Sequence, residues 1–279
     1  MKTGVIIQAR MASTRLPAKV AKELPYASGI TVIEQVVRRL RKCRVLDCVV
    51  VATTTDKSDD TLVKLVRKAG AKLFRGSKND VLSRYYYAAK KFRMDTVVRI
   101  TSDCPCVDPS LVDSMVGVHL ARHADYTANV VKTTFPDGYD VEVLGFKSLR
   151  TAFEKSVNPQ DREHVTSYIR NRPGEFRVAS VRAPAWGRRP ELRVTLDTPD
   201  DYLLLCAIYD QLYSHSRPFT FREVISLFRR KPWLEQINRR SLPKKRSRTI
   251  NEELRQAVSL LELQELDRAA EVFRKILKK

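Results

Sequence analysis

Four short runs punctuate the first hundred positions, TGVIIQ at 3–8, DCVVVAT at 47–53, KLFR at 72–75 and TVVRIT at 96–101, and all but the short KLFR are rich in β-branched residues. Unbroken Val/Ile runs leave no polar face for water, so each predicts a strand covered on both sides. Between them, 31–43, 58–69 and 79–92 carry apolar residues at helical spacing with charges opposite, and 109–122 follows the fourth run. Gly70 is placed to end the second helix, Asn79 to cap the third, and Asp108 to cap the helix entered through Pro109. Alternation of this kind predicts βαβ units and an α/β chain with a parallel sheet.

The second half changes character. Strands are expected at 125–131 and 139–144, joined by the PDG turn at 136–138, and again at 177–182 and 192–196. Helices are expected at 148–155, 160–170 and 199–213. The composition then shifts to RRSLPKKRSR near 238–248, a basic linker, and 251–279 reads as two amphipathic helices. The expected division is a catalytic domain over 1–237 and a linker with helical extension over 238–279. The segment LDRAAEVFRKIL is similar to half of a helical-repeat hairpin, present as a single copy.

A formal net charge of +20 over 279 residues invites a polyanionic partner. Positions 238–279 hold 12 Lys/Arg and 6 Asp/Glu, so most of the excess is spread over the remaining 237 residues. No basic stretch is interleaved with aromatics as in a base-stacking surface, so nucleic acid is not the expected partner. No apolar run reaches the length of a membrane span and 1–20 lacks a signal-peptide pattern, so the expected location is the cytoplasm. Cys104-Pro105-Cys106 is the closest pair among five scattered cysteines, and the spacing favours small packed side chains over zinc or a disulfide.

Chemistry concentrates in three loops that follow strands, where open α/β sheets bind ligands. The first, ARMASTRLPAK, gathers Arg10, Ser13, Thr14, Arg15 and Lys19, a donor set suited to a triphosphate. It lacks the glycines of a Walker loop or a dinucleotide fingerprint. The second, SDCPCVDP, leaves Asp103 without a capping duty at the end of TVVRIT, as expected of a Mg²⁺ ligand. The third, DTPDD, is explained mostly by a helix start: Thr198 with Asp201 forms a capping box and Pro199 takes the first helical position. Asp197 is left over. Two carboxylates from separate strand ends beside a triphosphate loop describe a metal-nucleotide site.

IIQARMASTRLPAK, FRGSKNDVLSRY, VVRITSDCP, FPDGYDVEV, REHVTSYI and LRVTLDTPDD occur in that order. Together they resemble the cytidylyltransferase family that includes the acylneuraminate and 3-deoxy-manno-octulosonate enzymes, in the branch named after spore-coat polysaccharide biosynthesis protein F. The resemblance covers about 2–213. It implies an α/β, three-layer Rossmann-like nucleotide-diphosphosugar-transferase fold with a mixed central sheet, here with a C-terminal helical extension. It implies transfer of CMP from CTP to an acidic sugar or related small anionic acceptor, with release of pyrophosphate and dependence on Mg²⁺. Arg10, Ser13, Arg15, Lys19, Arg75 and Thr101 are the expected nucleotide contacts. Asp103 and Asp197 are the expected metal ligands and, with Arg15 and Lys19, the expected catalytic set. Asp140, Glu142, Glu163 and His164 fall in segments expected to face the acceptor. A homodimer is also expected.

The chain departs from the family pattern where Ala18 and Ser102 replace usual glycines, at Cys106, and in a small insertion at 25–29. A glycosyltransferase of the same fold is the rival reading, but Asp103-Cys104-Pro105 lacks the second acid of a DxD pair. Asp80 and Arg84, four apart on one helix, are expected to pair with each other.

Overall fold

The computed structural model describes residues 1–241 and 250–277; most of the expected basic linker lies outside them. The chain divides into two compact units, Met1–Glu235 and Gln236–Lys279. In the first, β1 (Thr3–Gln8), α1 (Val32–Leu40), β2 (Cys48–Thr54), α2 (Asp60–Lys68), β3 (Lys72–Gly76), α3 (Val81–Lys91), β4 (Thr96–Thr101) and α4 (Pro109–Ala121) follow one another as the apolar rhythm predicts. Then come β5 (Tyr126–Ala128), β6 (Glu142–Gly145), α5 (Phe146–Lys155), α6 (Pro159–His164), α7 (Ser167–Arg170), β7 (Val178–Ser180), α8 (Pro199–Leu212), α9 (Phe221–Arg230) and α10 (Leu234–Ile237), whose last two residues fall in the second unit. They build one seven-stranded sheet ordered β3-β2-β1-β4-β6-β5-β7. The first four strands are parallel, while β6 runs antiparallel to both β4 and β5, so the sheet is mixed.

Alternation along the strands sorts the core into two layers. Val5, Ile7, Val49, Val51, Val98 and Ile100 face one way, against Ile33, Val37, Leu62, Val112 and Met115 of α1, α2 and α4. Ile6, Val50, Ala52 and Val97 face the other, against Leu82, Tyr85, Leu149 and Ile169 of α3, α5 and α7. The carboxyl ends of β1, β2, β3 and β4 therefore share one rim, and the three loaded loops gather near it.

Local rules set most of the boundaries. Thr31 and Glu34 close a capping box on α1, Thr198 and Asp201 one on α8, and Thr220 and Glu223 one on α9. Asp108 caps α4 by accepting from the Ser110 amide. Four expectations need correction. Asp80, not Asn79, caps α3. The 160–170 helix is two pieces, because Val165 adopts φ 59° and the Thr166 amide donates to the His164 carbonyl across a tight turn. The 192–196 strand is reduced to a single bridge between Asp137 and Arg193. Asp80 does not pair with Arg84; it accepts instead from Arg162, whose Nε and Nη2 stand at 2.8 and 2.6 Å.

The second unit contains α11 (Ile250–Leu263) and α12 (Asp267–Leu277), which pack on each other around Val258 and Ala270. None of the described helices is long and apolar enough to cross a membrane.

Gly138 is where backbone freedom is required. Its φ is 105°, and a Cβ there would stand 2.7 Å from the Val194 carbonyl carbon. The turn must pass this close for the Val194 amide to reach the Asp137 carbonyl at 2.8 Å. Gly138→Ala is expected to destabilise the protein by more than about 1 kcal/mol, a fall in melting temperature of at least about 3 °C by calorimetry. An unchanged melting temperature would show that the turn relaxes freely.

Candidate active site

Asp59 roots the opening loop. Its carboxylate accepts from the Met11 amide at 2.7 Å, from the Thr53 hydroxyl at 2.8 Å, and from the Thr54 amide and hydroxyl. Burial alone would raise its pKa, but these bonds hold it below the ordinary value. The loop thus leaves β1 clamped to the end of β2. At its far end Ala18 takes φ 52°, in the left-handed region that glycine adopts most readily.

From this loop Lys19 reaches the centre of the site. Its ammonium donates to Asp103 Oδ2 at 2.7 Å and to Asp197 Oδ1 at 2.8 Å. Arg15 meets Asp197 Oδ2 at 2.9 Å, and Arg193 donates to the same oxygen at 2.7 Å. The two carboxylates are brought together by backbone: the Leu196 amide and the Thr195 hydroxyl both donate to the Asp103 carbonyl. Arg193 also pairs with Asp137 and with fully buried Asp201, whose carboxylate accepts from the Asp197 and Thr198 amides.

Charge shifts follow from this geometry. Burial would raise the Asp197 carboxyl, yet Lys19, Arg193 and Arg15 outweigh it and hold the pKa at about 2. Burial would lower the Lys19 ammonium, yet Asp103 and Asp197 raise it. Asp140 lies two residues beyond the β4–β6 register, opposite the end of β4. Burial, with Asp137 and Glu142 nearby, pushes its carboxyl up to about 7.

The expected site residues separate into two groups. Arg15, Lys19, Asp103 and Asp197 meet directly, and half-buried Ser13 lies in the same loop as exposed Arg10. Thr101 ends β4 with its hydroxyl 3.2 Å from the Cys104 sulfur. The others stand apart from that cluster. Arg75 braces the loop after β2, donating to the Thr54 and Asp56 carbonyls and to the Asp60 carboxylate. Glu142, only 4% exposed, has both oxygens engaged inside the protein by Arg99, Tyr126 and Thr166. An acceptor contact from Glu142 is replaced by a supporting role beneath Asp140. Glu163 is half-buried and His164 exposed at the end of α6. Asp59, Arg193 and Asp201 were missed, because their partners lie far off in sequence or their acidity was assigned to capping alone.

Asp103 and Asp197 share one ammonium, so their oxygens converge on a cation position. No three His, Cys, Asp or Glu side chains gather as a metal cage among the described residues. Two carboxylates suit a hard divalent ion that takes further oxygens from phosphates.

Comparison with known proteins decides the chemistry class. Residues 4–235 match the sequence profile of the family described as Cytidylyltransferase. This chain belongs to the cytidylyltransferase family. It is 36% identical over 233 residues to spore coat polysaccharide biosynthesis protein SpsF of Bacillus subtilis, covering 81% of this chain and 94% of SpsF. An uncharacterised protein of Methanocaldococcus jannaschii is 36% identical over 242 residues, covering 85% of this chain and 95% of that one. A solved cytidylyltransferase from Leptospira borgpetersenii superposes with a TM-score of 0.79 at 31% identity, covering 88% of this chain and all of that one. The cytidylyltransferase is thus a CTP-dependent nucleotidyltransferase, and its mixed sheet is the fold of that family.

The depressed Asp197 pKa predicts a pH window. A carboxylate held below its unfolded value adds stability that is full above about pH 4 and is lost as pH falls toward 2. Asp197→Asn is expected to lose about 2 kcal/mol at pH 7, and the gap to the parent is expected to close between about pH 4 and 2. Urea unfolding at both ends of that range checks this. A gap independent of pH would assign the loss to packing.

Proposed function

We propose that this cytidylyltransferase moves CMP from CTP to a hydroxyl of an acidic sugar or related small acceptor, releasing pyrophosphate, in the cytoplasm and with Mg²⁺. The observation that carries the reading is the meeting of Lys19 and Arg15 with Asp103 and Asp197 at the sheet rim. The name of the Bacillus relative supports a polysaccharide precursor as the acceptor.

Asp103 and Asp197 are the pair that would hold Mg²⁺, which when bound supplies charge neutralisation at the phosphates. Arg15 and Lys19 bind the triphosphate by exchanging carboxylate partners for phosphate oxygens and stabilise charge growing on the leaving pyrophosphate. Arg193 holds Asp197 in place through the exchange, since Asp201 and Asp137 fix its other nitrogens. Asp140, with a pKa of about 7, takes up the acceptor hydroxyl proton. Glu142, locked by Arg99, keeps the strand beneath Asp140 in register.

A pyrophosphate-release screen of four nucleoside triphosphates against sugar acids, phosphorylated polyols and amino acids tests the reading. CTP with a sugar acid is expected to give turnover, and Asp103→Asn to reduce it about a hundredfold or more with the fold retained by circular dichroism. Turnover with every nucleotide alike, or near-normal turnover in Asp103→Asn, would overturn the assignment.

The catalytic unit is proposed to act without the extension. Leu234 is buried and Glu235 pairs with Arg189, so a cut must fall after them. A chain ending at Ser241 is expected to stay soluble by size-exclusion chromatography and to keep pyrophosphate release within about threefold, a difference below 1 kcal/mol. A soluble but inactive truncation would place part of the site in residues 242–279.

A further inference from the structure

Arg84, one turn into α3, is 4% exposed, and its Nε and Nη1 are enclosed without a hydrogen-bond partner. Such a group is rare, because burying an unpaired charge is strongly unfavourable. Its surroundings favour its charge only through space, from Asp59 and Asp80, whose carboxylates are engaged elsewhere. Asp80 is taken by Arg162, and Asp59 by Met11, Thr53 and Thr54. Arg10 adds repulsion, and burial depresses the guanidinium pKa. The chain nevertheless makes room for this side chain. Gly76 ends β3 where a Cβ would stand 2.9 Å from Arg84 Cγ. An arginine held by a glycine and left unpaired points to an acceptor that arrives with a ligand.

Its position says which part of the ligand. The sheet order runs β3-β2-β1-β4-β6. Asp103 follows β4, and Asp140 lies beside it on the β6 side, so phosphates and acceptor occupy that half of the rim. Arg84 stands on the other half, among Arg10 after β1, Asp59 after β2 and Gly76 at the end of β3. A nucleotide whose phosphates lie at Lys19 has its base left to place there. A second buried phosphate would bring its own desolvation penalty, whereas a flat neutral ring brings a smaller one.

We propose that Arg84 reads the base, donating its guanidinium hydrogens to the adjacent O2 and N3 acceptors of cytosine. This rests on the CTP-dependent reading above. Uracil presents an N3–H at the same edge, so a fixed donor fork meets a donor and is left unpaired. Sites built around a buried hydrogen bond discriminate strongly for that reason. Arg84 is then a specificity residue that touches the substrate.

Calorimetric binding of CTP, UTP and inorganic pyrophosphate to the full chain and to Arg84→Met tests the proposal. The parent is expected to prefer CTP over UTP. Arg84→Met is expected to lower that preference about tenfold or more, to leave pyrophosphate affinity unchanged, and to melt no lower than the parent without ligand. Arg84→Lys keeps the charge and the stem but not the planar fork, and is expected to lose the same preference; it serves as the test should methionine not be accommodated. An unchanged CTP-to-UTP ratio in the variant would overturn the role of Arg84 alone. Equal losses for CTP, UTP and pyrophosphate would overturn it in favour of a phosphate contact. A parent that binds neither triphosphate would overturn the functional reading together with this one.

Discussion

The ammonium of Lys19, held between Asp103 and Asp197, is the contact on which the rim of the sheet depends. It joins a loop after β1, a loop after β4 and the turn before α8, which no backbone ladder connects as a set. The two acidic segments would otherwise repel: Asp137 and Asp201 stand close behind, and burial together with the charges of Asp103, Asp197 and Asp201 raises the carboxyl pKa of Asp137. Arg193 answers that repulsion from below by pairing with Asp137, Asp197 and Asp201. Two cations thus hold four carboxylates, Lys19 from the loop after β1 and Arg193 from the side of the core.

The division of labour is physical. Arg193 is nearly buried and paired on several sides, so its removal would leave carboxylates unpaired in a low-dielectric setting. Lys19 keeps a flexible stem and a partly open position, so it can trade one anion for another. A phosphate offers the same kind of oxygen acceptors as the carboxylates it replaces. The site is thereby pre-organised for a polyanion while remaining stable without one.

A second polar network lies beneath Asp140. Glu142 is enclosed with Arg99, Tyr126 and Thr166, and Arg99 reaches on to Gln8 at the end of β1. It ties β1, β4, β5 and β6 to the segment after α6, where Val165 holds a strained turn. Asp140 sits just past this network without its partners, which is why its pKa rises while Glu142, with burial opposed chiefly by Arg99, is held low.

Sequence alone determined the βαβ half of the chain, the Thr198–Asp201 capping box and the choice of Arg15, Lys19, Asp103 and Asp197 as candidates, because these follow local rules: period-two burial, side-chain-to-amide bonds within four residues, and charge left over once capping is assigned. Tertiary structure decided what lies between distant segments. It turned the expected strand at 192–196 into one bridge, since that stretch pairs with the turn at Asp137, where Gly138 lets the backbone approach, and not with a strand of the sheet. It moved Glu142 from the acceptor to the core, because Arg99 lies directly across the antiparallel register. It gave Asp80 to Arg162, 82 positions away, rather than to Arg84 on its own helix. A carboxylate takes the donor that packing brings nearest, and spacing along one helix cannot foresee a donor delivered by another.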